Sequence, residues 1–264
     1  LSQEYSPPPS TQLNIEMAGG LYSSDLSDSY AQLILSHNPA SYWRLGNPWT
    51  AAAYDSAGSA TGTFFGGVTQ DTPGLLNQTV STDASATLDG STGHVRIPLA
   101  TAGFRTAQSG SIEMWITPNS VSGNQGLFAI HFGNSDSAWS MIRLQGDKLT
   151  TRSPNSGGIV SATPTIVIGE TYHIVMTCTG STWKWYVNGE DVTGTSNGGI
   201  DVGAWFGDYK AGALIADYAY IGAQLTSNYS GAFNGVIDEV AVYNSALTHN
   251  QVRSHYLMGT VGLS

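Results

Sequence analysis

The carboxylates are the side chains of this sequence with the most chemical potential. Asp and Glu number 19, against nine Lys and Arg, and the net charge at pH 7 is −10. Glycoside hydrolysis needs two carboxyl groups that face each other across the scissile bond. In the predicted strand at 111–117, Glu113 is alone, so no second carboxylate shares its face. We therefore interpret Glu113 as a strand-face or rim residue.

Other catalytic patterns are equally weak. Residues 194–198 (GTSNG) match the nucleophile-elbow pattern by letter, but that elbow needs a buried strand before it and a helix after it. Here a hairpin precedes the match and glycine follows it. The six histidines show no paired zinc-ligand spacing. We therefore predict no catalytic residues and a protein that is not an enzyme.

A long aromatic connection at 195–217 is the richest candidate for binding. Its glycines surround Trp205, Asp208 and Tyr209, with Asn197 near its start. A sugar ring has apolar faces and hydroxyl edges, so aromatic rings beside Asp or Asn suit it. We predict Trp205, Asp208, Tyr209 and Asn197 as ligand-binding residues. The alternative is that the aromatic rings fold inward and anchor the connection on a sheet.

The elements that must position these residues are mainly short strands. Strand candidates separated by Gly, Asn, Asp and Ser lie at 86–88, 94–97, 111–117, 126–132, 138–144, 172–179, 182–187 and 233–243. Asn188 and Gly189 tolerate the positive φ of a tight hairpin turn, which predicts three successive antiparallel strands. Such spacing is typical of an all-β sandwich or barrel.

Two short helices and an arm complete the prediction. Apolar residues at helical spacing predict a helix within 24–38 that Pro39 ends, and Thr248 with Gln251 forms a capping-box pattern for a second helix reaching about Tyr256. Residues 1–23 contain three consecutive prolines and too few apolar side chains for a core. We predict an extended arm at 1–23, held by a protein partner or alternatively by the sandwich itself, and one domain at 24–264.

The core should be closed by packing alone, because a single cysteine cannot form an intrachain disulfide. Cys178 alternates with apolar neighbours, which predicts a buried thiol. Trp183, Trp185 and Val187 share one strand face and should point inward.

Several motifs resemble, in order, the successive blocks of laminin-G-like, concanavalin-A-type domains. They are 41–46 (SYWRLG), 54–58 (YDSAG), 88–90 (LDG), 95–98 (VRIP), 112–116 (IEMWI), 172–175 (YHIV), 185–189 (WYVNG), 220–222 (YIG), 235–244 (GVIDEVAVYN) and 246–248 (ALT). The first segment of this series, at 38–46 (NPASYWRLG), is similar to the corresponding segment of such domains in phage structural and bacterial surface proteins. The resemblance covers about residues 40–257.

The resemblance implies a jelly-roll β-sandwich of two antiparallel sheets that serves mostly in recognition. It also implies a structural Ca²⁺ held by carboxylates and loop carbonyls at the sandwich edge, for which Asp55, Asp89 and Asp238 are the candidates by block position. The alternative for Asp55 and Asp89 is turn chemistry, since an Asp beside Gly or Ser bonds its own backbone. For Asp238 the alternative is an edge carboxylate bonded to backbone amides.

These observations together favour a non-catalytic module that binds a glycan or host surface, displayed on a virion or an extracellular surface. The alternative is a structural virion protein, such as a capsid decoration or tail component tethered by its arm, and a glycoside hydrolase ranks below both. Acidic charge disfavours nucleic acid and anionic membrane surfaces. No apolar run approaches the roughly 18 residues of a membrane span.

Overall fold

Alternating side chains build this fold from two antiparallel sheets with a shared core. The computed structural model of the chain describes residues 29–46, 50–77, 83–132, 138–152, 165–180, 182–194, 205–208, 216–224 and 231–261. The predicted arm at 1–23 lies outside these residues. In the described part of the chain, the strands are numbered β1 to β15 in chain order.

Sheet A contains eight of these strands. Its order is β13 (Glu190–Asp191), β12 (Trp183–Val187), β11 (Tyr172–Cys178), β7 (Gly110–Pro118), β15 (Asn234–Tyr243), β5 (Ala84–Asp89) and β4 (Val68–Pro73), with β1 (Ser41–Trp43) also paired to β15. The predicted run of three antiparallel strands is confirmed as β11, β12 and β13. Asn188 and Gly189 turn the second hairpin with φ of 51° and 81°.

Sheet B contains the other seven strands. Its order is β10 (Lys148–Arg152), β9 (Ala138–Gln145), β8 (Asn124–Phe132), β14 (Ala216–Ile221), β6 (His94–Pro98), β3 (Gly62–Phe65) and β2 (Ala52–Ala53). All described pairings in both sheets are antiparallel. The predicted all-β sandwich is confirmed.

The main core lies between the inner faces of the two sheets. Trp183, Trp185 and Val187 point into it as predicted, and so does the buried Cys178. Short 3-10 helices at Leu99–Thr101 and Phe206–Asp208 add further apolar side chains to it. The core therefore follows the period-two pattern of the strands.

Two α-helices cover the outer face of sheet A. Helix α1 (Ser29–Ser36) and helix α2 (His249–Val261) form a second apolar cluster with that face, which includes Tyr30, Ile34, Trp115, Tyr186, Tyr243 and Val252. The capping box of α2 is confirmed, since the Thr248 N–H donates to Gln251 Oε1 at 2.9 Å and the Gln251 N–H donates to Thr248 Oγ1 at 3.3 Å. No helix in the described part of the chain is long and apolar enough to cross a bilayer.

Candidate functional site

Three neighbouring strands of sheet B place a group of aromatic and basic side chains on its outer face. In β6, Val95 and Ile97 enter the core, so the alternate residues point outward. The same alternation in β3 and β14 brings the outward residues of all three strands together. We call this group the aromatic face, and it consists of Phe65, His94, Arg96, Tyr218 and Tyr220.

The Arg96 guanidinium lies between two rings of the aromatic face. Its Cζ is 4.3 Å from the Phe65 ring centroid and 4.7 Å from that of Tyr218. These distances are within the range of cation–π attraction. Tyr218 is 37% exposed, so its ring is accessible beside the guanidinium.

His94 and Tyr220 form the floor of the aromatic face. Phe65 and His94 stack with centroids 5.4 Å apart and planes at 13°, and the His94 and Tyr220 centroids are 5.7 Å apart. Burial lowers the pKa of His94, and the nearby Arg96 lowers it further, against a hydrogen bond from the ring to the Thr92 carbonyl that raises it. The imidazole is therefore neutral at pH 7.

Charge is divided unevenly between the two sheets. The strands of sheet B contain four basic residues and one acidic residue, namely Arg96, Arg143, Lys148, Arg152 and Asp217. The strands of sheet A contain one basic residue and seven acidic residues, namely Lys184 and Asp71, Asp89, Glu113, Glu190, Asp191, Asp238 and Glu239. Sheet B is thus locally basic in a chain whose net charge is −10.

The predicted binding residue Trp205 lies in the core, not at the surface. It is fully buried, and its ring meets Phe206 edge-on with centroids 5.1 Å apart. A Cβ at Gly110 would be 2.5 Å from Trp205 Nε1, so the ring packs directly over that glycine. The structure favours the inward-anchoring alternative for Trp205. Asn197, Tyr209 and the side chain of Asp208 lie outside the described residues.

Asp55 and Asp89 each bind their own loop. Asp55 Oδ1 accepts from the backbone N–H groups of Tyr42, Ala57 and Gly58 at 2.8–3.1 Å. Asp89 Oδ1 accepts from three successive backbone N–H groups, at residues 91–93. Burial raises the pKa of Asp89, but these hydrogen bonds outweigh burial and lower it to about 2. Both carboxylates therefore follow the turn alternative.

Asp238 lies instead in a different acidic cluster. Asp83, Asp238 and Glu239 each place one carboxylate oxygen in this cluster, and the three oxygens lie within 4.8 Å of one another. A β-bulge follows Asp238, and Glu239 has φ of 51°, which brings two consecutive side chains to one side of the strand. The structure does not bring Asp55, Asp89 and Asp238 together as one ligand set.

Arg44 and one unsatisfied oxygen define this cluster. The Arg44 guanidinium donates to Asp83 at 2.8 Å and to Glu239 at 3.1 Å. Asp238 Oδ2 accepts from the Leu75 N–H at 2.9 Å, while its buried Oδ1 has no hydrogen-bond partner among the described residues. Burial and the neighbouring Asp83 carboxylate raise the pKa of Asp238 well above its usual value.

Glu113 lies on the outer strand face of sheet A, in agreement with the strand-face interpretation, but it is a buried anchor under the helices and not a rim residue. It is fully buried, and its carboxylate accepts from His255 Nδ1 at 2.8 Å, from His173 Nε2 at 3.3 Å and from the Tyr243 hydroxyl. His255 Nε2 is 2.7 Å from His37 Nδ1 on the end of α1. Burial raises the pKa of Glu113, but the two histidines hold it below its usual range.

A polar cleft of about 450 Å³ lies at one end of the sandwich. Its described lining comes from the β5–β6, β7–β8 and β14–β15 connections and adjacent strand ends, with Ser91, Ser120, Asn124 and Asn234 among its residues. No aromatic ring is among the described residues that line it. The cleft offers hydrogen bonds without a stacking surface, so the aromatic face is the better candidate site.

A comparison with protein families identifies the superfamily to which this fold corresponds. The family model described as the concanavalin A-like lectin/glucanases superfamily matches residues 89–253. No curated protein matches the sequence significantly.

Solved structures similar to this chain come from sialidases and an arabinanase. A Trypanosoma rangeli sialidase in complex with sialic acid gives a TM-score of 0.61 at 13% identity over 83% of this chain and 32% of the other. Domain 4 of the extracellular arabinanase AbnA from Geobacillus stearothermophilus, in complex with arabinotriose, gives 0.55 at 19% identity over 83% of this chain and 98% of the domain. The CBM40 domain of the Ruminococcus gnavus IT-sialidase, bound to α2,3-sialyllactose, gives 0.51 at 14% identity over 64% of this chain and 95% of that one.

These comparisons correct the prediction of a virion role, and they limit what the fold indicates about activity. The predicted display or structural role on a virion is wrong, since the similar proteins reported above are sialidases and domains of glycan-degrading enzymes. The chain spans about a third of the length of the sialidases, so their activity does not transfer with the fold.

Proposed function

This chain belongs to the concanavalin A-like lectin/glucanase superfamily, and we propose that it binds carbohydrate on the aromatic face of sheet B. The observation that supports this most is the Arg96 guanidinium between the rings of Phe65 and Tyr218. Aromatic rings pack on the apolar faces of sugars, and a guanidinium donates several hydrogen bonds to their oxygen atoms. Two of the similar structures, the arabinanase domain and the CBM40 domain, were solved with oligosaccharides bound.

The position of the face in the fold supports the same proposal. The strands β3, β6 and β14 are neighbours, and adjacent strands lie about 4.8 Å apart. Their outward side chains therefore form one surface that spans about 10 Å. No described helix packs on it, whereas α1 and α2 occupy the outer face of sheet A. A ligand can reach sheet B without displacing an element of the core.

Substitution of the exposed ring tests the proposal directly. Tyr218→Ala should weaken binding of oligosaccharides at least tenfold, which corresponds to about 1.4 kcal/mol. Isothermal titration calorimetry against ligands first found on a glycan array would measure this loss. Tyr54→Ala is the matched control, because Tyr54 is 52% exposed and lies outside the aromatic face. Equal affinities for Tyr218→Ala and the unmodified chain would contradict the proposal.

We also propose that the chain binds carbohydrate without hydrolysing it. Most glycosidases need a pair of carboxyl groups at the ligand, but the strands of sheet B contain a single acidic residue, Asp217. Glu113 lies on the other sheet, beneath the helices. Incubation with each bound oligosaccharide, followed by a reducing-sugar assay and mass spectrometry, should detect no product. Sustained release of shorter sugars would overturn this proposal.

A structural Ca²⁺ is proposed for the acidic cluster of Asp83, Asp238 and Glu239. Calcium takes oxygen ligands at 2.3–2.6 Å, and Asp238 Oδ1, which has no hydrogen-bond partner among the residues that the structure describes, fits that demand. The ion would neutralise carboxylates that Arg44 neutralises only in part. Calcium should raise the melting temperature of protein treated with a chelator, and Asp238→Asn should reduce that increase. A melting temperature independent of calcium would refute the site.

Two predictions about cellular context are carried forward as proposals. We propose that binding takes place outside the cell, as the word "extracellular" in the description of the similar arabinanase suggests. Detection of the chain in the culture medium or on the cell surface of its source would support this, and an exclusively internal location would contradict it. The protein partner of the arm at 1–23 stays a prediction, which pull-down with and without those residues would test.

A further inference from the structure

We infer that the carbohydrate bound on the aromatic face is acidic, and that Arg96 recognises its carboxylate. This inference rests on the proposed function and names the class of ligand for the same site. It follows from the partners of Arg96, from the charge at its position and from the geometry of a guanidinium.

The guanidinium N–H groups of Arg96 donate no hydrogen bond to the residues that the structure describes. Arg44 pairs with Asp83 and Glu239, and Arg143 donates to Thr150 and Gln145. By contrast, no hydrogen bond or ion pair joins Arg96 to any side chain that the structure describes, and its contacts are the Phe65 and Tyr218 rings. The rings fix the guanidinium on the outer face, with its polar edge available to an incoming group.

The charge of Arg96 itself favours an anion at this place. The other basic residues on the strands of sheet B lie on β9 and β10, which are three and four strands from β6 and therefore about 14 Å or more away. The net charge of −10 would repel an anion from a distance. Screening at physiological ionic strength limits that repulsion to about 8 Å, so the Arg96 guanidinium decides the contact.

The chemistry of the guanidinium suits an anion with two neighbouring oxygen atoms, such as a carboxylate. Arginine presents a rigid fork of donors that matches the two oxygens of a carboxylate, and this charge-assisted pair is stronger than neutral hydrogen bonds. A neutral sugar hydroxyl would satisfy only part of the fork. The neighbouring His94 is neutral and its Nδ1 donates to the Thr92 carbonyl, so it does not compete for the carboxylate. Uronic acids and sialic acids share this group.

Binding to a matched pair of ligands tests the inference. The first pair is trigalacturonic acid and its methyl ester, which differ in that each carboxylate becomes a neutral methyl ester, and the second is 3′-sialyllactose and lactose, which differ by the sialic acid residue. The unmodified chain should bind at least one acidic ligand tenfold more tightly than its neutral partner. Arg96→Gln should bring the two affinities within threefold of each other. Preference for one acidic member over the other would identify the source of the carboxylate.

The control is Arg253→Gln, because Arg253 lies on α2 with its side chain 59% exposed, and it should keep the full acidic preference. Circular dichroism would verify that Arg96→Gln stays folded. Equal affinity of the unmodified chain for an acid and its neutral partner, at a site that Tyr218→Ala removes, would overturn the acidic preference and leave the proposed function standing. Binding that Tyr218→Ala does not change would overturn the proposed function itself.

Discussion

Replacing Glu113 by Gln should destabilise the domain more than any comparable change at its surface. The Glu113 carboxylate accepts from His255, His173 and Tyr243 inside the cluster beneath the helices. Gln has the same shape but one fewer acceptor oxygen, and its amide would point N–H groups at other donors. Breaking a buried charged pair by removing one partner costs about 3–5 kcal/mol. We expect a loss in that range at pH 7.

The loss should depend on pH with a definite sign. The histidines hold the pKa of Glu113 below its usual value in the folded state. Its stabilising contribution is therefore complete above the unfolded pKa of about 4.3 and declines as pH falls below that value. The slope is at most about 1.4 kcal/mol per pH unit. At pH 3.5 the difference between Glu113→Gln and the unmodified chain should narrow by about 1 kcal/mol.

Urea unfolding followed by tryptophan fluorescence at pH 7 and pH 3.5 would measure both effects. The matched control is Glu190→Gln, because the Glu190 side chain is 65% exposed and its basic neighbour Arg253 is 3.9 Å away. An exposed pair contributes little, so the control should change stability by less than about 1 kcal/mol at either pH. A cost for Glu113→Gln equal to that of the control would refute the anchoring role of Glu113.

Three further substitutions test packing and capping. Trp205→Ala should cost about 3–5 kcal/mol in urea unfolding, since the ring is fully buried, and unchanged stability would restore its predicted role as a surface ligand. Gly110→Ala should cost about 1–3 kcal/mol by the same measurement, because its Cβ would lie 2.3 Å from the Tyr243 carbonyl oxygen; a neutral effect would mean the contact relaxes freely. Thr248→Ala should lower stability by about 1 kcal/mol through loss of the α2 cap, with Ser as the conservative control that restores most of it.

The sequence predicts the inner faces of the strands well because their pattern is local. Trp183, Trp185 and Val187 alternate with period two, and burial of one face of a strand needs no knowledge of its neighbour. The helix start at Thr248 is equally local, since the capping box is contained in four residues. These features could be predicted without any pairing between distant segments.

The aromatic face depends on pairings that no local pattern reveals. Phe65, Arg96 and Tyr218 come from three strands, and only the register of β3 with β6 and β6 with β14 brings them together. Alternation within the strand at 94–97 can separate inward from outward residues, but it does not indicate which residues of other strands lie beside them. The burial of Trp205 could not be predicted for the same reason, because the close approach of Gly110 to the ring is a long-range contact.

The acidic cluster shows a second limit of local patterns. Alternation places Asp238 and Glu239 on opposite faces of a regular strand. The bulge after Asp238 and the positive φ of Glu239 break that rule and allow both to approach Asp83. Two adjacent acidic residues in the middle of a long strand are a weak signal of such a bulge, and only the pairing register shows that it is present.

The different surroundings of the two outer faces explain why we assign ligand binding to sheet B. The inward residues of every strand in a sandwich are packed in the core, so only the outward residues are available to a ligand. On sheet A the helices cover those positions, and the Glu113 carboxylate accepts from His173 and His255 beneath them. On sheet B the outward positions of β3, β6 and β14 include Arg96, whose guanidinium lies between two rings and makes no hydrogen bond or ion pair with the described residues. An unpaired guanidinium does not stabilise an apolar core, whereas it can donate hydrogen bonds to a carbohydrate ligand.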